Sequence, residues 1–441
     1  MTSKFKVVLI GAGSHVFAKK LITDILSYPE LRKSTICLMD LDEDRLQLIT
    51  AFAKKTVSQY GFPTRIESTT NRRTALEGAN YVIVSIRVGG HSTRLHDLGI
   101  PAKYGVKQAV GDTIGPGGVF YGLRHVPVLL GICHDMEQIC PDALLINYTN
   151  PMAILNWAMN DYSKIKNVGL CHSVQSTSSE LARYIQAPYD EISYRVAGIN
   201  HMAWFLEFEW NNEDAYPLLR ERLEDPSLYS NENAHWAGPD NVRVKIFKTF
   251  GYFNTESSQH MSEYVPYFRK KESHFEEYNL EYAYLHGEQE LQKRLKQEEA
   301  MRIFVAGPDK VVIDRSEEFA IKIIHSIETG IPSRINGNVR NNGLITNLPT
   351  GCSVEVPCLV DKSGIQPTRI GKLPPQCAGL NRTNVNVHEL AVLASVEKSK
   401  ILTKQAILLD PLTSAILDID ETHQMVEELF DAESKYLMDF K

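Results

Sequence analysis

The stretch Lys6–Phe17, "KVVLIGAGSHVF", confines the possible folds of this chain more than any other. Lys6–Ile10 is a short apolar run rich in β-branched residues, and Gly11 and Gly13 follow it at once. Such a run suits a strand covered on both faces, and the residues after the glycines read as a helix start, with Ser14 as candidate cap. A strand, a tight glycine turn and a helix in that order open a βαβ unit.

The rhythm continues. Thr35–Met39 ("TICLM"), Tyr81–Ile86 ("YVIVSI"), Leu144–Asn147 ("LLIN") and Asn167–Leu170 are further strand-like runs. Helical stretches such as Leu41–Lys54 and Val128–Ile139 lie between them. Strands alternating with helices predict a parallel sheet covered by helices. The second half is less regular. It has aromatic loops (Tyr252–Phe268), a charged helical stretch (Phe275–Glu299), an amphipathic stretch near Arg315–Glu328, turn-rich strands (Ile335–Val360) and helices to the end. The expected class is α/β: a Rossmann-type parallel-sheet domain over residues 1–200, then a mixed α+β domain over 201–441. No internal repeat or low-complexity linker is evident.

Glycines in the first βα turn let the backbone approach a pyrophosphate, and the helix N-terminus favours its charge. Asp40 ends the second strand, where an acid would hydrogen-bond ribose hydroxyls and repel a 2′-phosphate, so NAD is expected over NADP. Val16 stands where the usual fingerprint has its third glycine. The competing reading of Gly11 and Gly13 is a purely structural turn.

At 441 residues with a net charge of −7 and no basic block, the chain lacks the footprint of a nucleic-acid binder. No run of about 18 apolar residues predicts a membrane span, and the first apolar stretch is too short for a signal peptide. The seven cysteines are scattered and odd in number, which fits a reducing cytoplasm.

Two of the strand ends carry chemistry. In "NVGLCHSVQ" the fifth strand hands over to Cys171 and His172, and in "AGINHMAW" His201 follows another apolar run. A soft thiolate and an imidazole can bind a divalent transition metal and leave positions open for substrate oxygens. The competing readings are a buried structural cysteine and core histidines. The other six cysteines form no CxxC and read as small core residues. In "NYTNPMA", Asn150-Pro151 follows the fourth strand at the edge where open α/β sheets place ligands; it also reads as a helix cap with proline in the first turn. The glycine-rich Gly111–Gly118, "GDTIGPGG", reads as a mobile loop over the site, or else as a turn.

Taken in order, "GAGS", "MDLDEDRL", "GDTIGPGG", "NYTNPMA", "GLCHSVQ" and "GINHMAW" resemble glycoside hydrolase family 4. So do "GYFNTESSQHMSEYVPYF", "GNVRNNGLITNLP", "VEVPCLVD" and "GIQPTRIGKLP". The resemblance spans almost the whole chain. It implies NAD and a divalent metal, usually Mn2+, and a route of oxidation at sugar C3, elimination, water addition and reduction in place of paired-carboxylate displacement. It implies Cys171 and His201 as metal ligands, Tyr264 as catalytic base, and Asp112 and Asn150 near the sugar. His172 falls where members acting on phosphorylated α-glucosides carry a general-acid aspartate. Cys-His-Ser-Val is the pattern of the α-galactosidase group, so the expected partner is a small α-galactoside. Homodimers or homotetramers are the family's habit. Alternatives are an α-galacturonidase or α-glucosidase of the same family, a malate/lactate-type NAD dehydrogenase, and a non-catalytic dinucleotide sensor.

Overall fold

The computed structural model describes residues 4–230, 238–282, 284 and 287–441. Strands β1 (Lys6–Ile10), β2 (Thr35–Met39), β3 (Arg65–Thr69), β4 (Tyr81–Val84), β5 (Leu144–Asn147) and β6 (Asn167–Gly169) alternate with helices. The second half adds β7 (Ile192–Ile199), β8 (Met202–Trp210), β9 (Glu213–Asp214), β10 (Ser333–Arg340), β11 (Ser353–Asp361) and β12 (Gly364–Pro367). All join one sheet in the order β3-β2-β1-β4-β5-β6-β10-β11-β7-β8-β9, with β12 on β11. The first six are mutually parallel, and every pairing of β7–β12 is antiparallel.

The parallel half is the expected doubly wound sheet, and its order reverses between β1 and β4. That reversal is a crevice for a ligand, because the two following helices leave on opposite faces. Along this carboxyl edge the strand ends carry Gly11 after β1, Asp40 after β2, Ser85 after β4, Asn150 after β5 and Cys171 after β6. β1, β2 and β4 are buried almost throughout, which is why their sequences are unbroken apolar runs. The helix Glu43–Tyr60 is closed at one end by the Asp42 side chain, which accepts from the Arg45 amide, and at the other by Gly61 at φ 63°.

Three expectations are corrected. β3, "RIEST", is an additional edge strand with a mixed, partly exposed pattern and no apolar run to mark it. Gly111–Gly118 is no lid: Gly115–Ile139 is one continuous helix whose first turn is buried. Its glycines serve close packing, since a Cβ on Gly118 would stand 2.4 Å from the Thr113 carbonyl carbon, and one on Gly117 would stand 2.5 Å from the Gly111 carbonyl oxygen. The helical stretch Phe275–Glu299 is split into Glu272–Glu277 and Gly287–Ala306; residues 283, 285 and 286 within it lie outside the described residues. Among the described residues no helix is long and apolar enough to cross a membrane. All seven cysteines are free, and all but Cys171 are buried.

Candidate active site

The glycine turn is tight for a steric reason. A Cβ on Gly11, at φ 87°, would lie 2.0 Å from the Ser85 carbonyl oxygen. The Gly13 amide donates to Asp40 Oδ2 at 2.7 Å, and the Asp42 amide donates to Oδ1 at 2.9 Å. Asp40 is thereby fixed at the end of β2, beside the turn. Ser14 occupies the N-cap position of the helix His15–Ser27, but its side chain accepts no capping bond. That part of its expected role is corrected. A helix start without a side-chain cap keeps its first amides available to an anion.

At the next strand ends the polar groups converge. Cys171 Sγ, a ring nitrogen of His201 and a Glu256 carboxylate oxygen lie within 4.8 Å of one another. His201 occupies the two-residue turn between β7 and β8 at φ 62°, and Glu256 lies in a loop at φ 74°. His201 Nε2 is 3.5 Å from Glu256 Oε2. Its Nδ1 is 3.3 Å from His260 Nε2, which also meets the Thr113 hydroxyl at 2.6 Å.

Burial alone would raise the Glu256 carboxyl, but the imidazoles of His201, His260 and His172 hold it at about 2. It is therefore a carboxylate at neutral pH. Burial and the neighbouring His201 lower His260 to about 3, with Glu256 pulling the other way. Burial also pushes the Cys171 thiol well up, helped by Glu256 and Glu355. A thiol beside a carboxylate and an imidazole becomes a strong donor only when a cation takes its proton's place. This donor set fits a divalent metal of intermediate softness.

Tyr264 is 1% exposed, with its ring 5.5 Å from that of His260 and 6.4 Å from that of His201. Burial drives its phenol well above the ordinary tyrosine value, opposed by a hydrogen bond with Thr113. Asp112 is raised by burial and pulled back by Arg87, His201 and a hydrogen bond with Asn150. Asp112, Asn150, His201 and Tyr264 thus lie near one another. Pro151, not Asn150, holds the N-cap position of the helix Met152–Tyr162, so the capping reading of Asn150 is corrected. His172 is exposed at the start of the helix Ser173–Tyr184, near enough for its charge to act on Glu256.

Glu256, His260, Glu263 and Glu355 escaped the sequence reading. Glu256, His260 and Tyr264 recur at intervals of four residues, a spacing that could have flagged them. Glu263 accepts from the Val110 amide at 2.9 Å and so ties the segment before Tyr264 to the segment bearing Asp112. Glu355 carries no such signal, because in "SVEVPCLVD" it reads as the outward residue of an alternating strand.

A dinucleotide-type turn and a thiol–imidazole–carboxylate cluster at one sheet edge define a redox-assisted, metal-dependent α/β enzyme. The comparisons with known proteins narrow this class. The models of the family 4 glycosyl hydrolase and of its C-terminal domain match residues 6–187 and 196–413. The chain is 39% identical over 437 residues to an alpha-galactosidase of Bacillus subtilis, covering 99% of this chain and 100% of that one. It is also 39% identical to an alpha-galactosidase of Rhizobium meliloti, over 99% of this chain and 89% of the relative. A 6-phospho-alpha-glucosidase from gut microorganisms, solved in complex with NAD and Mn2+, superposes with a TM-score of 0.85 at 21% identity, covering 100% of both chains. The chain belongs to glycoside hydrolase family 4.

Proposed function

We propose that the chain is an α-galactosidase that hydrolyses α-galactosides such as melibiose, with NAD and Mn2+ or another divalent cation as cofactors. The observation that carries this reading is the convergence of Cys171, His201 and Glu256, with Cys171 at the same carboxyl edge of the parallel strands as the glycine turn. A malate/lactate-type dehydrogenase has no use for such a cluster, and a two-carboxylate glycosidase has none for the turn. The galactoside is supported by the two relatives at 39% identity and by Cys171-His172-Ser173-Val174.

When bound, NAD supplies a reversible hydride acceptor for sugar C3, and the cation supplies a Lewis acid for the C2 and C3 oxygens. Gly11, Gly13 and the start of the helix after Ser14 receive the pyrophosphate, and Asp40 the adenosine ribose. Cys171 and His201, joined by Glu256, hold the cation. Asp112 and Asn150 orient the sugar. Tyr264 removes the C2 proton once C3 is oxidised. Its phenol is held too high by burial to act alone, and positive charge in the cluster brings it within reach. His172, exposed at the rim, serves the leaving group.

The reading divides the chain at residue 200: the first part holds the dinucleotide and contributes Asp112, Asn150, Cys171 and His172, and the second contributes His201, Glu256 and Tyr264. It places the enzyme in the cytoplasm, which the free cysteines support, and expects a homodimer or homotetramer. A panel of nitrophenyl α-glycosides assayed with NAD, Mn2+ and a reductant tests the reading. Galactoside preference is expected. A preference for galacturonides, glucosides or 6-phosphoglucosides overturns the substrate, and net NADH production with a 2-hydroxy acid points to a dehydrogenase.

A further inference from the structure

Glu355 is the third residue of β11, opposite Asn338 of β10 on one side and Gly198 of β7 on the other. Asn338 in turn pairs with Gly169 of β6. This row of the sheet links the strand that ends two residues before Cys171 to the strand that ends two residues before His201. Residues directly opposite in an antiparallel pair present their side chains on the same face, so Asn338 and Glu355 share theirs.

Glu355 is fully buried, with 0% exposure. Neither of its carboxyl oxygens has a hydrogen-bond partner, and Asn338 Oδ1 lacks one too. Three buried acceptor atoms on one face without a donor are costly to keep. Burial pushes the Glu355 carboxyl up to about 8, with Glu256 acting the same way and His201 against it, and Glu355 in turn helps to raise the Cys171 thiol, so it neighbours the three donors of the cluster. Fold stability gains nothing visible from this carboxyl: it caps no helix and pairs with no cation among the described residues.

We propose that Glu355 is a further member of the metal site, a buried carboxyl that stands beyond the three donors, helps to hold a divalent cation among Cys171, His201 and Glu256, and is not needed for the fold. This rests on the metal-dependent reading above. It adds a second carboxylate, contributed by the antiparallel half of the sheet, to donors that come from strand ends and a loop.

The test compares wild-type protein with Glu355→Gln, both stripped by a chelator and then loaded with NAD. Mn2+ is titrated while free Mn2+ is followed by electron paramagnetic resonance, and the metal-free melting temperature is recorded. Removing a carboxylate around a metal site typically costs about 10–100-fold in affinity, so the Mn2+ Kd of the variant should rise by that factor. NAD affinity should not change, and the metal-free melting temperature should hold or rise, since a neutral amide replaces an unpaired acid. Glu355→Asp, which keeps a carboxyl, should bind Mn2+ more tightly than Glu355→Gln. Unchanged Mn2+ affinity in Glu355→Gln overturns the proposal. So does a glutamine variant that cannot fold without metal, because the carboxyl would then serve the fold. Wild-type protein that fails to bind Mn2+ overturns the metal reading itself, and this proposal with it.

Discussion

His201 Nε2 stands 3.5 Å from the Glu256 carboxylate, and both residues hold left-handed backbone conformations, at φ 62° and φ 74°. Side-chain-bearing residues rarely adopt that region, and they persist there where surrounding structure enforces it. One lies in a two-residue hairpin turn and the other in a loop, so the contact is assembled from two independent strained positions. Cys171→Ser, His201→Ala and Glu256→Gln should each weaken Mn2+ binding by at least about tenfold while NAD still binds. A folded variant with wild-type Mn2+ affinity removes its residue from the metal centre.

Chelation and oxidation should act through the same three side chains. Dialysis against a chelator should abolish hydrolysis, and Mn2+ with NAD should restore it. Peroxide should inactivate the metal-free protein faster than the metal-loaded one, because Cys171 is the one cysteine of the seven that is only partly buried and a bound cation would cover its sulfur. Full activity in stripped protein contradicts this.

Stability should depend on pH through Glu263. Burial pushes its carboxyl up to about 7 from 4.5, against the pull of Arg269 and of the Val110 and Gly111 amides. An acid raised on folding costs nothing below its unfolded value, and it destabilises progressively as pH climbs to its folded value. Glu263→Gln keeps an acceptor for the Val110 amide and cannot ionise. Wild type should therefore lose on the order of 3 kcal/mol relative to this variant between pH 4.5 and 7, and run parallel to it above pH 8. Urea melts across that range check it, and profiles parallel throughout would count against the assignment.

Cofactor choice should turn on Asp40. Its two oxygens already take the Gly13 and Asp42 amides, at 2.7 and 2.9 Å, so its charge sits beside the glycine turn. Asp40→Asn keeps one acceptor oxygen and loses the charge. NAD affinity should fall and the preference over NADP should narrow, both read by fluorescence titration. Unaltered discrimination against NADP would assign the preference to another residue.

Much of this arrangement is legible in the residues, and the reason is burial. β1, β2 and β4 lie under helices on both faces, so selection for apolar side chains writes them as unbroken runs, and the residue after each run is a ligand-facing position. Gly11, Asp40, Asn150 and Cys171 all follow from that rule. β3 escapes it because an edge strand can be polar. The glycines of Gly111–Gly118 mislead because close approach of backbone and mobility call for the same residue, and only the packed neighbours tell them apart. Glu355 is hidden more deeply. Alternation in β11 marks it as outward, whereas the strand is buried nearly throughout, so its face points inward to the metal cluster. Tyr264 could be chosen among 19 tyrosines only through the family resemblance.

The position of label in the product tests the central claim most directly. If Tyr264 removes the C2 proton after oxidation at C3, turnover of an α-galactoside in heavy water should place deuterium at C2 of the released galactose. Tyr264→Phe should lower kcat by about 10²–10⁴-fold and suppress the labelling in step, with NAD and Mn2+ still bound. Displacement at C1 by paired carboxylates never breaks the C2–H bond. Galactose released by active wild-type enzyme without deuterium at C2 would contradict the account.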